Sequence, residues 1–529
     1  MSKNSLIFHF VAHKPFLKTA DEKYASKNQE LFYTISQVYI PLLNMFANLE
    51  SEGVPFKMGM TISPTLCAQL SDSFVQKSYI EWLDKLIDLG EQEIERTADN
   101  PKKNELSKLY LKNIKRNKRD YIETFNKDIV GAFSYYAKKG NIELFATAAT
   151  YSFLPHIADF HEAVNAQIEQ GLISHKQFFG IAPEGFFLPH LGYMNGLEDN
   201  LRAYGLNYTI VEAQSLLFAT PAPSAGIFSP VRSKSSFAFF ANDTRITDEI
   251  AGKNGFMYNE VYRNQQNDIG YSESLEDLKN FLGNSNIRQQ TSFKYDSNKS
   301  LKSHEECIYS PEYASEQIKI DAQKFVESKA TMLNEAANLL DGKPCSLLYS
   351  FSPDLLGEKW YEGIDWLEEV FRQIANRDDI SSANCSDFTK EQYQLEKVDV
   401  TFSSSQGNGY GENFLDNSND WMIRYMRKNT ERMIDLAQRF SEKTGLKTRA
   451  LNLATKEVLL SQSSDWPLMI HEKSDADFAK EQFIKTINGF STVYESLGSN
   501  TISTEWLTNL EREHDLFPWT TYMIFSKKQ

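Results

Sequence analysis

Cysteine is scarce in this chain, and its spacing is uninformative as chemistry. Cys67, Cys307, Cys345 and Cys385 lie far apart with no Cys-x-x-Cys pair, which excludes a zinc ribbon or a dithiol redox motif and predicts reduced, mostly buried thiols. Positive charge is also in short supply: 56 Lys and Arg face 71 Asp and Glu, for a formal net charge of −15. That balance excludes a nucleic-acid binder and a partner of anionic membranes. The one basic run, residues 112–119 (KNIKRNKR), follows a charged helical pattern and reads as a solvated helix face. No segment has the ~18 uninterrupted apolar residues of a membrane span. The opening MSKNSLIFHFVAHKPF enters a strand-like run with neither a long apolar core nor a small-residue cleavage site, so a cytoplasmic protein is expected. His156, Asp159, His161 and His190 match no metal-ligand spacing, and neither a metal nor a cofactor is expected.

Against those absences stand length, aromatics and a repeating rhythm. A chain of 529 residues, 41% apolar and 24% charged, is long enough for one large α/β barrel plus a second helical unit. Its 36 Phe, 25 Tyr and 7 Trp suit the stacking of pyranose rings, although most must serve as core. Short apolar runs alternate with amphipathic patterns: strands are expected at 5–11, 56–62, 142–148, 185–188, 207–211 and 346–351, and helices at 39–51, after Ser63-Pro64-Thr65, from about 159, and at 196–204 and 360–375. This is β/α alternation, which predicts a parallel sheet or barrel with its functional residues at the C-terminal strand ends. Residues 226–310, rich in Asn, Ser, Asp and Gln, read as a polar loop region or inserted subdomain within a barrel spanning 1–400. Residues 401–419 hold three glycines and form a connection. Residues 420–529 then read as a C-terminal helical bundle lining the cleft, beginning with a long helix over 420–442 and ending in an extended segment at 520–525.

The strand ends carry the chemistry. The peptide Gly185-Phe186-Phe187-Leu188-Pro189-His190-Leu191-Gly192 puts His190 at a barrel rim, and Leu347-Leu348-Tyr349-Ser350-Phe351-Ser352-Pro353-Asp354 does the same for Ser352. Gln462-Ser463-Ser464-Asp465-Trp466-Pro467 sets a carboxylate beside an indole, one group suited to sugar hydroxyls and the other to stacking. Together with Val11-Ala12-His13-Lys14-Pro15 and the stretch from Gly140 through Thr150-Tyr151 to Pro155, these five peptides follow the order of five family motifs, and Ser404-Ser405-Gln406-Gly407 resembles a further peptide found in one group of the family. In motifs and order the chain resembles glycoside hydrolase family 57, and within it the glycogen branching enzymes.

The resemblance implies an incomplete (β/α)7 barrel with a helical domain completing the cleft. It also implies a retaining double displacement, in which one carboxylate attacks the anomeric carbon and a second protonates the leaving oxygen. His190 stands where the family's nucleophilic Glu belongs, and Ser352 where its acid/base Asp belongs. Val11, Tyr151 and Gln406 replace a His, a His and a Trp of the family pattern. An imidazole forms no glycosyl ester, and a serine hydroxyl is too weak an acid to donate at neutral pH. His13, Asp354, Trp360, Trp421, Asp465 and Trp466 are the expected sugar-binding residues. His13 has a core reading beside the pocket one, the three tryptophans could equally anchor interfaces, and Tyr151 and Phe187 read as volume filling. The leading expectation is a non-catalytic protein that binds α-glucan or an oligosaccharide, with glycogen-metabolism enzymes as possible partners. The alternatives are an active branching enzyme, glucanotransferase or amylase with relocated groups at His190 and Asp354, and a scaffold that no longer touches sugar, whose sign would be a cleft plugged by substituted side chains.

Overall fold

The computed structural model describes residues 3–17, 25–283, 287–303, 307–440 and 444–527. Among the described residues ten strands build one sheet: β1 (Asn4–Ala12), β2 (Met58–Ile62), β3 (Ile142–Thr147), β4 (Phe186–Phe187), β5 (Tyr208–Glu212), β6 (Val231–Arg232), β7 (Ala238–Asn242), β8 (Ser346–Phe351), β9 (Ile380–Ser382) and β10 (Glu396–Lys397). β1 lies at its centre, parallel to β8 on one side and to β2 and the short β9 on the other. Pairing runs on through β3 to β4, then through the single bridge Gly185–Tyr208 to β5, and from β5 to β7, which meets β8 at Asn242–Leu348. Seven parallel strands therefore curl into a barrel with two thin seams. Gly185 makes the first seam possible, because a Cβ there would lie 2.4 Å from the Tyr208 ring and 2.7 Å from Phe145.

The chain between the strands is mostly helical. Ile40–Ser51 begins at the proline its sequence offers at the first turn, and Pro64–Leu70 is capped by the Ser63 hydroxyl. The basic run at 112–119 falls in the helix Pro101–Arg119, whose Ile114 and Asn117 face inward while Lys115 pairs with Glu91 at 2.9 Å on the surface. All four cysteines are free, and all but Cys307 are buried. Among the described residues no helix is long and apolar enough to cross a membrane.

Two sequence expectations need correction. The polar region 226–310 contains β6 and β7, and β7 is a barrel strand rather than a loop. Its five residues, AFFAN, are all buried, but the run is too short and too closely flanked by Ser-rich peptide to stand out as a strand. The C-terminal segment at 520–525 is not extended. Tyr522–Phe525 forms a 3-10 turn whose Tyr522 hydroxyl donates to the Phe440 carbonyl at 3.0 Å, so its apolar alternation serves a buried turn.

Beyond the barrel, the helices Asp420–Arg439, Leu446–Ser461, Asp465–Glu472, Ala476–Ser499 and Thr504–Glu513 share one apolar core with the barrel residues Phe16, Ala148 and Leu154. A polar chain crosses the joint: the Gln167 amide donates to Gln462 Oε1 at 2.9 Å, and the Gln462 amide donates to Thr430 Oγ1 at 2.9 Å. Such a satisfied network fixes the position of the peptide that follows Gln462.

Candidate functional site

The strand alternation of β1 aims His9, Val11 and His13 to the same side, into the barrel. His9 is wholly buried between Ser350 Oγ, 2.8 Å from Nδ1, and Thr61 Oγ1, 2.9 Å from Nε2, and its ring stacks on Phe187 at 5.2 Å. Burial pushes its pKa down to about 3, so it is a neutral core residue. Val11 above it joins Phe145, Tyr151, Phe187 and Leu191 in an apolar cluster that fills the barrel mouth.

Tyr151 closes that mouth. Only 5% exposed, its ring lies flat against His13, with centroids 3.8 Å apart and planes 14° from parallel. Burial, followed by the Asp465 charge, raises its phenol above the ordinary range. Both Tyr151 (φ 52°) and His190 (φ 53°) adopt left-handed backbone, which non-glycine residues hold only where the surroundings enforce it.

His190 is locked rather than poised. Its Nε2 lies 2.9 Å from Ser464 Oγ, and the Ser464 hydroxyl donates to the Tyr151 carbonyl. A hydroxyl has one proton to give, so Ser464 must accept from His190 Nε2–H. Burial holds the imidazole down at about 3, against an opposing pull from Asp465, and leaves it neutral at pH 7. Its ring also packs on Tyr151 and Phe414, and its carbonyl accepts from the Ser405 backbone at 2.8 Å and the Ser405 hydroxyl at 3.0 Å.

On the opposite rim Ser352 is exposed, and its hydroxyl accepts the Asp354 N–H at 3.3 Å as a cap for the turn Pro353–Leu355. Asp354 is held by Lys14, with Nζ–Oδ2 at 2.8 Å, and Lys14 lies 3.6 Å from Glu358. Burial alone would lower the Lys14 pKa, but Asp354 and Glu358 outweigh it and raise the ammonium above its usual value. Glu358 is raised by burial, in part offset by Lys14, and takes a hydrogen bond from the Thr34 hydroxyl.

The expected binding residues divide. Asp465 is committed inward: Oδ1 lies 2.8 Å from His13 Nε2, and Oδ2 accepts from Ser463 Oγ at 2.8 Å. His13 is spanned by Asp465 on one side and by Ser63 Oγ, at 2.8 Å, on the other. Trp466 and Trp360 must be corrected. Trp466, 2% exposed, turns into the helical core and donates to the Leu460 carbonyl at 2.8 Å. Trp360, 1% exposed, is packed among Tyr262, Trp366 and Phe256. Neither indole has a face open to a sugar, because each fills an apolar gap that its polar neighbours in sequence gave no sign of. Trp421 is half-buried, edge-on to Phe483 at 5.5 Å. Asp159 forks Arg427, and His156 lies against Phe153, so these do not converge with His190.

Sequence reasoning missed His9, Ser464 and Glu212. The i, i+2, i+4 spacing of His9, Val11 and His13 would have placed His9 on the inner face. Glu212 ends β5, and burial, partly offset by the Asn242 amide, pushes its carboxyl up to about 7. Outside the filled mouth, a cleft of ≈ 490 Å³ runs past Lys14, Tyr33, Tyr271, Arg288, Glu358 and Asp475.

This architecture has known counterparts. The model of glycosyl hydrolase family 57 matches residues 7–400, and that of the 1,4-alpha-glucan branching enzyme C-terminal region matches 425–525. The 1,4-alpha-glucan branching enzyme TK1436 of Thermococcus kodakarensis is 23% identical over 518 residues, covering 91% of this chain and 72% of that one. A probable 1,4-alpha-glucan branching enzyme of Mycobacterium tuberculosis, Rv3031, is 22% identical, covering 90% of this chain and 88% of its own. The crystal structure of the α-amylase AmyC from Thermotoga maritima superposes with a TM-score of 0.93 at 26% identity over all of both chains. The branching enzyme from Pyrococcus horikoshii superposes with a TM-score of 0.87 at 21% identity, covering 100% of this chain and 98% of that one. By the match across residues 7–400, this chain belongs to glycosyl hydrolase family 57.

Proposed function

We propose that the protein is a non-catalytic, branching-enzyme-like member of its family that binds α-glucan and works beside other enzymes of glycogen metabolism. The observation that carries this is the Tyr151 ring lying flat on His13 within the apolar barrel mouth, where a sugar undergoing displacement would need room. The retaining reaction needs two carboxyl groups about 5 Å apart flanking the anomeric carbon. His190 and Ser352 supply none, and His190 donates its only N–H to Ser464. Asp354, the nearest carboxylate in sequence to Ser352, is engaged by Lys14, which argues against its recruitment as a substitute.

Glucan contact then falls to the outer cleft. Its exposed Tyr271 ring offers a stacking face, and the amides of Gln29, Gln289 and Gln290 with the carboxylates of Glu30, Glu358 and Asp475 offer partners for hydroxyls. The purified protein should be retarded on native gels containing glycogen or amylose, without any change in later iodine staining along its track. Migration indifferent to glucan would remove the binding role. It would favour the second reading, a scaffold without sugar contact, which the filled mouth also supports.

A further inference from the structure

The insertion that follows β7 packs against the outside of the barrel and leaves a cavity of ≈ 120 Å³ between Arg263, Arg116, Asn113, Ser36, Tyr361 and Asp365, well above the ~10–15 Å³ that one water needs. We propose that this cavity is a binding site for a phosphate-sized oxyanion, either free or as the phosphate group of a sugar monophosphate.

Arg263 forms its floor. The side chain is buried, yet among the described residues no carboxylate lies within ion-pair distance of its guanidinium. Asp268 is engaged by Lys294 at 3.1 Å and by Thr291 Oγ1 at 2.7 Å. Glu362 accepts the Arg263 backbone N–H at 3.0 Å instead of the side chain, and burial pushes its carboxyl up to about 7, so that it carries only part of a charge at neutral pH. What the guanidinium does have is weak. Nη1 reaches the Ser292 carbonyl at 3.4 Å, Nη2 reaches Gln265 Oε1 at 3.5 Å, and Nε has no partner. The Tyr361 ring, 3.4 Å from the guanidinium carbon, holds the fork flat in the cavity wall.

A buried cation without a counter-ion is unfavourable unless a ligand or water supplies the missing partner. A guanidinium with unspent N–H groups matches an oxyanion in both charge and geometry. Arg116 and Asp365 both line the cavity, and burial pushes the Asp365 carboxyl up to about 6 while the Arg116 charge pulls it back, so the two offset one another and Arg263 remains the net charge within. A sugar monophosphate would lodge its phosphate on the floor and leave its ring past Arg116 in solvent.

The test is isothermal titration of the full-length protein with sodium phosphate, with glucose 1-phosphate, and with sodium chloride at matched ionic strength. Phosphate should bind saturably at one site and chloride should not. Tighter binding of glucose 1-phosphate would identify a sugar phosphate as the ligand, and equal or weaker binding would identify the free anion. Arg116→Gln, which leaves the Asp365 carboxylate at the mouth without its compensating charge, should weaken binding about tenfold, and Asp365→Asn should tighten it. Arg263→Lys, which keeps the charge but not the fork, should weaken it further. Should that buried variant fail to fold, the two rim variants decide. Absence of saturable phosphate binding, or affinity unchanged in both rim variants, would overturn the proposal.

Discussion

Placing carboxylates at the two rim positions by His190→Glu with Ser352→Asp should leave the protein inactive, for a reason that can be given a magnitude. The surroundings of position 190 hold an imidazole from 6.5 down to about 3, which corresponds to about 5 kcal/mol against a charge there. A glutamate in that space stays protonated at neutral pH, and Ser464 Oγ, whose proton is already given to the Tyr151 carbonyl, gains a new donor but a misplaced one. The pH dependence of stability separates this account from simple misfolding. In the parent, the folded-state pKa of His190 lies below its unfolded value, so stability is lost as pH falls from 6.5 toward 3. In the variant, the folded-state pKa of the glutamate lies above the unfolded value near 4.3, so stability is lost as pH rises through that window. Urea unfolding at pH 5 and pH 8 should therefore show the variant less stable than the parent by a few kcal/mol at pH 8, with the gap narrowing or reversing at pH 5. Amylose incubated with the variant should show no new reducing ends or branch points until Tyr151→His is added to reopen the mouth. A double variant that turns over glucan, or one with the parent's pH slope, would refute the claim that this mouth is closed and hostile to charge.

Other consequences follow from the same contacts. Tyr151→Ala should lower stability by about 3 kcal/mol and create a maltose-dependent rise in melting temperature that the parent lacks. Trp360→Ala and Trp466→Ala should each cost about 3–5 kcal/mol as core truncations, while Trp421→Ala, at a half-buried site, should cost clearly less in the same denaturant titration. Asp465→Ala strands His13 and Ser463 and should cost about 1–3 kcal/mol without altering glucan retardation, whereas Tyr271→Ala in the outer cleft should weaken retardation with little loss of stability. His9, His156, His175 and His190 are all held down by burial, to between about 3 and about 4. The parent should therefore lose about 2 kcal/mol for each between pH 6.5 and pH 5, read as a falling urea midpoint.

Much of the barrel was legible because its strands are continuous apolar runs ended by Pro, Ser or Gly, and β8 at 346–351 falls where its sequence puts it. β7 was not, because four apolar residues and an asparagine between polar stretches carry no period that separates a strand from a loop. His190 and Ser352 were equally plain in the sequence as rim residues, since each follows a strand run closed by a Pro- or Ser-containing turn. What Tyr151 does with its ring was not: its stacking on His13 depends on a left-handed backbone that no neighbouring glycine announces. The burial of Trp360 and Trp466 was hidden for a related reason, as an indole beside a charged residue, Lys359 in one case and Asp465 in the other, reads the same whether it faces a sugar or a helix. Ser464 could be recognised only once residues nearly three hundred apart in sequence met at 2.9 Å.

Whether the protein holds glucan without rearranging it is read by prolonged incubation of amylose with the purified wild-type chain, followed by counts of reducing ends and of branch points after debranching. The account predicts both counts unchanged from a protein-free control, in the same preparation that is retarded by glycogen on a native gel. A rise in either count that persists in His190→Ala would contradict it, and would point to a buried carboxyl such as Glu212 as the working acid.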